Sequence, residues 1–326
     1  MTTSTSAPAP VRGVVIVWSG ARPMLALHPM NSAGVTIGRE LLGATCSDDR
    51  ISRRHARIRM DGGRLLVTDL GSRNGTHVQG KPVSSADVEV TAPCVVRTGR
   101  TVCLVVDDIS TFAHMRLHHT ADGVLGPDHS GALNLAITAA REKAHLHIRG
   151  ENGVGKRSIV ERFANERAAP VHTYVDSGEL PTGTATVVID RLELVSRIAL
   201  AKLWSHCVRN PGVRIAALSE VPLSNLANVG DEMRRELTAR SGTVRPLRER
   251  VAEIAHIIGW VARDRQSNVE VHATFVEACM LRPWPGNDAA LVERTADLLE
   301  RGRRAQRTQL RSDDLEPDAG HQQEGA

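Results

Sequence analysis

Two groups of residues in this chain have the types and spacing to hold phosphate. The first runs from Gly38 to Thr76 and contains Gly38-Arg39, then Ser52-Arg53-Arg54-His55, then Asp69 to Thr76 with Ser72-Arg73-Asn74-Gly75 at its centre. Arginine forks, a hydroxyl, an amide and free backbone N–H groups on converging loops suit a multiply charged, directional anion such as a phosphate ester. Arg50, Arg53 and Arg54 add positive charge at the same rim, which favours acidic neighbours around that anion. The second group is Gly150-Glu151-Asn152-Gly153-Val154-Gly155-Lys156-Arg157-Ser158. Its Gly-x4-Gly-Lys spacing fits a P-loop, in which backbone amides cradle phosphates and Lys156 reaches the β and γ oxygens. The Ser or Thr usual after the lysine is Arg157 here, with Ser158 one position later.

Short strands must present the first group. Apolar alternation over 35–37, 56–60 and 65–70 predicts them, with polar loops at their ends. Residues 11–30 predict two more strands around a Ser-Gly turn, and 96–108 closes the domain. The pattern then weakens over 109–130 into a polar, glycine-rich linker. From Gly131 a helical stretch, a short strand, the Gly-rich loop and another helix follow. An apolar strand over 185–190 ends in the carboxylate of Asp190, and 213–220 forms a further buried strand. This βα alternation predicts a doubly wound parallel sheet.

The 326 residues suffice for two domains. Hydrophobic residues make up 41% and charged residues 24%, and the formal charge of +4 is too small to mark a DNA binder. Five scattered cysteines without a CxxC pair point to reduced thiols in a cytoplasm, neither a disulfide scaffold nor a zinc site. The N-terminal stretch reads as a loose tail without a signal-peptide core, and no apolar run reaches membrane-spanning length. His145 and His147 alternate before the P-loop without acidic or Cys partners at metal-ligand spacing.

The first group, in its order and spacing, resembles the forkhead-associated (FHA) domain over roughly residues 11–108. The resemblance implies an all-β sandwich that reads phosphothreonine peptides. Arg39 and Ser52 match the family's phosphate contacts, Arg73 the position beside the phosphothreonine, and Asn74 the residue holding the peptide backbone. Arg53 lies on the same rim, and Gly38, His55 and Gly75 match scaffold positions. The second group, with Pro246 to Arg250 (PLRER) and Trp284 to Asn287 (WPGN), resembles the AAA+ domain of bacterial activators of the alternative sigma factor. That implies an α/β P-loop domain with a small helical lid, ATP or ADP with Mg held through Asp190, and candidate arginine fingers at Arg234 and Arg240 that would serve a neighbouring copy in a homo-oligomer.

The expected organisation is a disordered tail at 1–10, the FHA domain at 11–108, a linker at 109–130, a degenerate AAA+ α/β subdomain at 131–244, its lid at 245–310 and a disordered acidic tail at 311–326. Four departures weigh against catalysis. Arg191 replaces the glutamate that follows the Walker B aspartate, and an arginine cannot polarise the attacking water. The sensor I position falls near Leu218 or Ser219, and the sensor II arginine is Ala289. Only 34 positions (190 − 156) separate Lys156 from Asp190, where the family places much more chain, and the sequence lacks the family's sigma-gripping Gly-Ala-Phe-Thr-Gly-Ala loop. The expectation is a cytoplasmic bacterial signalling protein that binds a phosphothreonine-containing protein and carries a hydrolysis-deficient AAA+-like scaffold, with no confident catalytic residue. The rivals are an FHA-regulated ATPase or transcription activator, and a non-hydrolysing DNA-associated regulator.

Overall fold

The computed structural model describes residues 10–113, 115–120, 123–176 and 178–315. The expected N-terminal tail up to residue 9, and the acidic end from 316, lie outside the described residues. Two compact units divide the chain. One holds residues up to 124 together with 251–283 and those from 291 on; the other holds 125–250 with 284–290.

The first unit opens with β1 (Gly13–Ser19), β2 (Arg22–Pro29), β3 (Val35–Ile37), the single helical turn α1 (Arg39–Leu42), β4 (Ala56–Asp61), β5 (Arg64–Asp69), β6 (Thr76–Val78), β7 (Lys81–Val83), β8 (Val88–Val90), β9 (Cys94–Thr98) and β10 (Thr101–Val106). They form a six-stranded sheet, β2-β1-β10-β9-β6-β7, and a four-stranded sheet, β3-β4-β5-β8. Alternate residues of one strand share a face. Val14 and Ile16 of β1 and Cys103 and Val105 of β10 therefore meet Val35 and Ile37 of β3 and Leu65 and Val67 of β5 in one core. This is the all-β sandwich that the FHA resemblance implies, built from the strands that the alternation predicts.

The stretch expected as a linker is built. It holds α2 (Ser110–Ala113), a short pairing of β11 (His118–His119) with β12 (Val124–Leu125), and the start of α3 (Pro127–Arg141), with proline at its favoured first-turn position. The second unit continues with β13 (Leu146–Arg149), α4 (Lys156–Glu166), β14 (Val171–Thr173), β15 (Ala185–Ile189), α5 (Arg197–Arg209), β16 (Val213–Ser219), α6 (Asp231–Ala239) and β17 (Ser241–Thr243). The sheet order is β14-β15-β16-β13-β17, with every pairing parallel. Ala216 and Leu218 of β16 face Phe163 and the α3 alanines, whereas Ile215 and Ala217 face Leu200 and Leu203 of α5. Helices cover both faces, as the βα alternation predicts. The strand order reverses at β13, so the loop after β13 opens at the sheet's topological switch point.

The helical segment expected as a lid over 245–310 belongs mainly to the first unit. It comprises α7 (Val251–Asp264), β18 (Glu270–Val271), α8 (Ala273–Met280), α9 (Asn287–Arg304) and β19 (Gln309–Leu310), which pairs with β18. Packing of α7 on β1 and β2, and of α8 on β9 and β10, explains why β1 and β10 are buried at every position. α7 is itself buried from Ala252 to Gly259, the behaviour of a helix that is apolar on nearly all sides. Arg97 of β9 and Glu277 of α8 form an ion pair at 2.5 Å, with side chains only 10% and 6% exposed. Residues 311–315, expected at the start of the disordered acidic tail, are ordered. Residues 312–314 form a helical turn, Asp314 accepts from the Arg311 N–H and pairs with Arg307, and Leu315 is buried. Neutralised in this way, the carboxylates stabilise order.

Candidate functional sites

In the first unit three loops converge. Arg39 opens α1, its N–H donating to the Ser52 carbonyl at 3.0 Å and its guanidinium to the Ile51 carbonyl at 3.0 Å. Gly38 is required by close approach, because a Cβ there would lie 2.1 Å from the Arg53 carbonyl oxygen. Ser52 accepts at Oγ from the Arg73 N–H at 3.3 Å, which leaves its hydroxyl hydrogen to donate outward. Asn74 reaches across through Nδ2 to the Arg50 carbonyl at 2.7 Å. Arg39, Arg73 and Asn74 are exposed and Ser52 is half-buried. Arg53 is exposed too, but lines a different cavity, of about 420 Å3, with Glu40, Arg54 and Asn31.

His55 braces these loops from below. Its Nδ1 accepts from the Ser52 N–H at 3.1 Å, so the ring hydrogen sits on Nε2 and donates to the Gly75 carbonyl at 3.0 Å. Burial lowers its pKa, outweighing the Gly75 bond and the nearby Asp69 and Asp48 carboxylates, and holds the ring in that neutral tautomer. Two residues not singled out in the sequence complete the frame. Asp69 accepts from the Ser72 N–H at 2.7 Å, the Ser72 hydroxyl at 2.6 Å and the Thr76 hydroxyl at 2.6 Å. Burial raises the Asp69 pKa, but these hydrogen bonds outweigh it and hold the carboxyl below the ordinary range. Asp48, buried, ties the Arg50 N–H at 2.8 Å to the Arg100 N–H and the Thr101 hydroxyl, each also at 2.8 Å. The aspartate ahead of Ser-Arg-Asn-Gly, three residues before its turn partner, carried the signal for the first of these.

In the second unit the Gly-rich loop joins β13 to α4. The first-turn N–H groups of α4 have no acceptor within the helix, which suits an anion. Lys156 is buried and donates from Nζ to the carbonyls of Gly150 at 2.6 Å and Glu151 at 2.8 Å. Burial lowers its pKa against the pull of Glu220, Asp190 and Glu193. Asn152, Arg157 and Ser158 are exposed, Val154 is buried, and Gly155 caps α4 in the left-handed region at φ 87°. Gly153 lies under the WPGN turn: a Cβ there would meet the Gly286 carbonyl oxygen at 2.0 Å, and the Ala289 N–H donates to its carbonyl. Asn287, the last residue of the WPGN motif, is fully buried at this junction. Its amide donates to the Asn152 carbonyl at 2.8 Å and its oxygen accepts from the Leu247 N–H at 2.8 Å. Arg248 adds a two-pronged pair with Glu151 at 2.8 and 2.5 Å.

Asp190 is exposed at the end of β15. Arg191 beside it bonds Glu193 at 2.8 Å and pairs with Glu220 at 3.3 Å. The two candidate arginine fingers are engaged within their own unit. Arg234 donates to the carbonyls of Leu223, Leu226 and Val229, and Arg240 pairs with Glu142. His147 links three strands through Ser241 at 2.7 Å and Ser219 at 2.8 Å, and His145 accepts from the Ile215 N–H. Burial pushes both histidines down to about 4.

Residues 35–99 match the family model of the FHA domain, so the first unit carries an FHA domain. The second unit has the α/β fold seen in NtrX. Among particular relatives, the glycogen accumulation regulator GarA of Mycolicibacterium smegmatis is 54% identical over 39 residues, covering 12% of this chain and 25% of GarA. NtrX from Brucella abortus, solved with ADP, aligns with a TM-score of 0.50 at 14% identity over 60% of this chain and 55% of NtrX. The ATP complex of NtrX gives 0.50 at 15% identity, over 60% of this chain and 56% of NtrX. This chain therefore spans about a quarter of GarA and just over half of NtrX. No helix among the described residues is long and apolar enough to cross a membrane.

Proposed function

We propose that this protein is a phosphothreonine-dependent binding regulator whose second unit is a nucleotide-responsive, hydrolysis-deficient scaffold. The observation that carries the reading is the convergence of Arg39, Ser52 and Asn74 over the neutral His55 brace. A phosphate at this rim would accept from the Arg39 fork and the Ser52 hydroxyl, while Asn74 would turn its amide from the Arg50 carbonyl to the peptide backbone. Exposed Arg73 would stand beside the phosphothreonine. The naming of GarA as a regulator is consistent with a binding role. Titration of paired phosphorylated and unphosphorylated threonine peptides tests the reading; equal affinities would defeat it.

For the second unit, the loop amides, Lys156 and Asp190 supply the groups that would hold a nucleotide's phosphates and Mg. Lys156 would exchange the Gly150 and Glu151 carbonyls for phosphate oxygens. The fold is shared with NtrX, which has been solved with ADP and with ATP. Hydrolysis needs a carboxylate that orients water, and Arg191 is an always-charged donor held by Glu193 and Glu220. The role is thus nucleotide binding without turnover. Sustained hydrolysis abolished by Lys156→Ala would overturn it in favour of a phosphopeptide-regulated ATPase.

A further inference from the structure

Next to the FHA loops, within the first unit, lies a cavity of about 260 Å3 whose walls come from two parts of the chain. Arg50, Asn74, Arg97 and Arg100 line it from the sandwich, His272 and Arg311 from the helical segment that packs on it. Among the described residues, four arginines and no acidic residue line this space. Two of the arginines are neutralised: Arg97 by Glu277 at 2.5 Å, Arg100 by Glu270, which also accepts from Gln309 at 3.1 Å. Arg50 faces, among the described residues, only the exposed Asp49 at 3.9 Å, and the Arg311 guanidinium donates among them only to the neutral Gln309 amide at 2.7 Å. Burial and the surrounding Arg311, Arg100 and Arg97 press His272 down to about 4; its Nδ1 faces the N–H and hydroxyl of Thr274, leaving Nε2–H as a neutral donor. Among the described residues, the cavity thus holds about two uncompensated positive charges, a neutral N–H donor and the Asn74 amide.

We infer that this cavity is a second anion subsite, in which Arg50 and Arg311 take an acidic group that flanks the phosphothreonine on the same peptide. The inference rests on the phosphopeptide reading above, because Asn74 is the residue shared by both sites. The group is a carboxylate or a second phosphate; both present oxygens to guanidinium forks. Specificity in this protein is then set jointly by the sandwich and by a segment that lies outside the residues matching the FHA model.

The test uses the full chain and three phosphothreonine peptides titrated by calorimetry: one with neutral flanks, one with Asp and Glu flanks, and one with a second phosphothreonine. The wild-type protein should favour at least one anionic-flank peptide over the neutral one by about fivefold to tenfold, less at high salt, and preference for neither overturns the subsite. Arg311→Ala should erase that preference while leaving affinity for the neutral-flank peptide unchanged; Arg311→Lys should retain most of it. Preference for only one anionic peptide identifies the group as carboxylate or phosphate. An unchanged preference in Arg311→Ala overturns the subsite. Loss of phosphate dependence on all three peptides would instead refute the underlying reading, and Arg39→Ala should abolish binding of all three. Unchanged thermal melts of Arg311→Ala exclude a folding defect, and Arg50→Gln provides a second variant on the opposite wall with the same expected loss.

Discussion

Arg97 and Glu277 meet at 2.5 Å in a nearly dry site, one on strand β9 and the other on helix α8, 180 positions apart in the chain. The pair fixes the C-terminal helical segment against the sheet beside the loop that carries Asn74, since Arg97 sits opposite His77 of β6. A buried pair adds little against an apolar replacement, but breaking it by removing one partner leaves an uncompensated charge. Glu277→Ala is therefore expected to destabilise the first unit by about 3–5 kcal/mol. The double change Arg97→Met with Glu277→Leu should recover most of that loss. Urea unfolding followed by a probe in α7, where Trp260 donates to the Thr120 carbonyl, measures both.

Asp69 governs the shape of the Ser-Arg-Asn-Gly turn without facing the phosphate site. Asp69→Ala removes three hydrogen bonds and should lower stability by roughly 1–3 kcal/mol. It should also weaken phosphopeptide binding, since Ser72 and Gly75 position Arg73 and Asn74. A variant that binds peptide with wild-type affinity would show that the turn holds its shape unaided.

Acid should loosen the fold before the carboxylates titrate. His145, His147, His256 and His272 each have a folded-state pKa of about 4, below the ordinary 6.5, with burial the main cause. Above pH 6.5 neither state binds the proton and the contribution is complete. Between 6.5 and 4 only the unfolded chain is protonated, so stability falls as pH falls, by up to about 1.4 kcal/mol per pH unit for each histidine. Denaturation at pH 8 and pH 5 reads the difference; equal stability at the two values contradicts it.

In the second unit, fluorescent ATP or ADP should bind the wild-type protein, and Lys156→Ala should weaken that binding at least tenfold. Phosphate release should stay at background in both. Arg191→Glu restores a carboxylate at the water-orienting position, and any turnover it gains would identify Arg191 as the residue that withholds catalysis.

Period-two alternation made the sandwich strands legible, and the strand–loop–helix order around Gly150 to Lys156 made the parallel sheet legible. The phosphate loops could be read because the order and spacing of Gly38, Ser52, His55 and Asn74 resemble the FHA pattern, even though their contacts span many positions, as Asn74 reaches Arg50 across 24. The frame could not: Asp48 reaches Arg100 across 52 positions, and Asn287 reaches Asn152 across 135, contacts that only tertiary packing creates. The placement of α7 was half-visible. A helix with VAEIAHIIGWV buried almost throughout must be covered on two sides, yet nothing in its sequence names the β1–β2 face as one of them. Arg234 fitted a finger by position, but its guanidinium closes the carbonyls of the loop before α6.

The most direct measurement of the central claim is the affinity of the intact chain for one threonine peptide with and without its phosphate. Two charge-assisted contacts, to Arg39 and Ser52, predict a preference of about a hundredfold or more for the phosphorylated form, and Arg39→Ala should remove it. Equal affinity for the two peptides, or a preference that survives Arg39→Ala, would contradict the account.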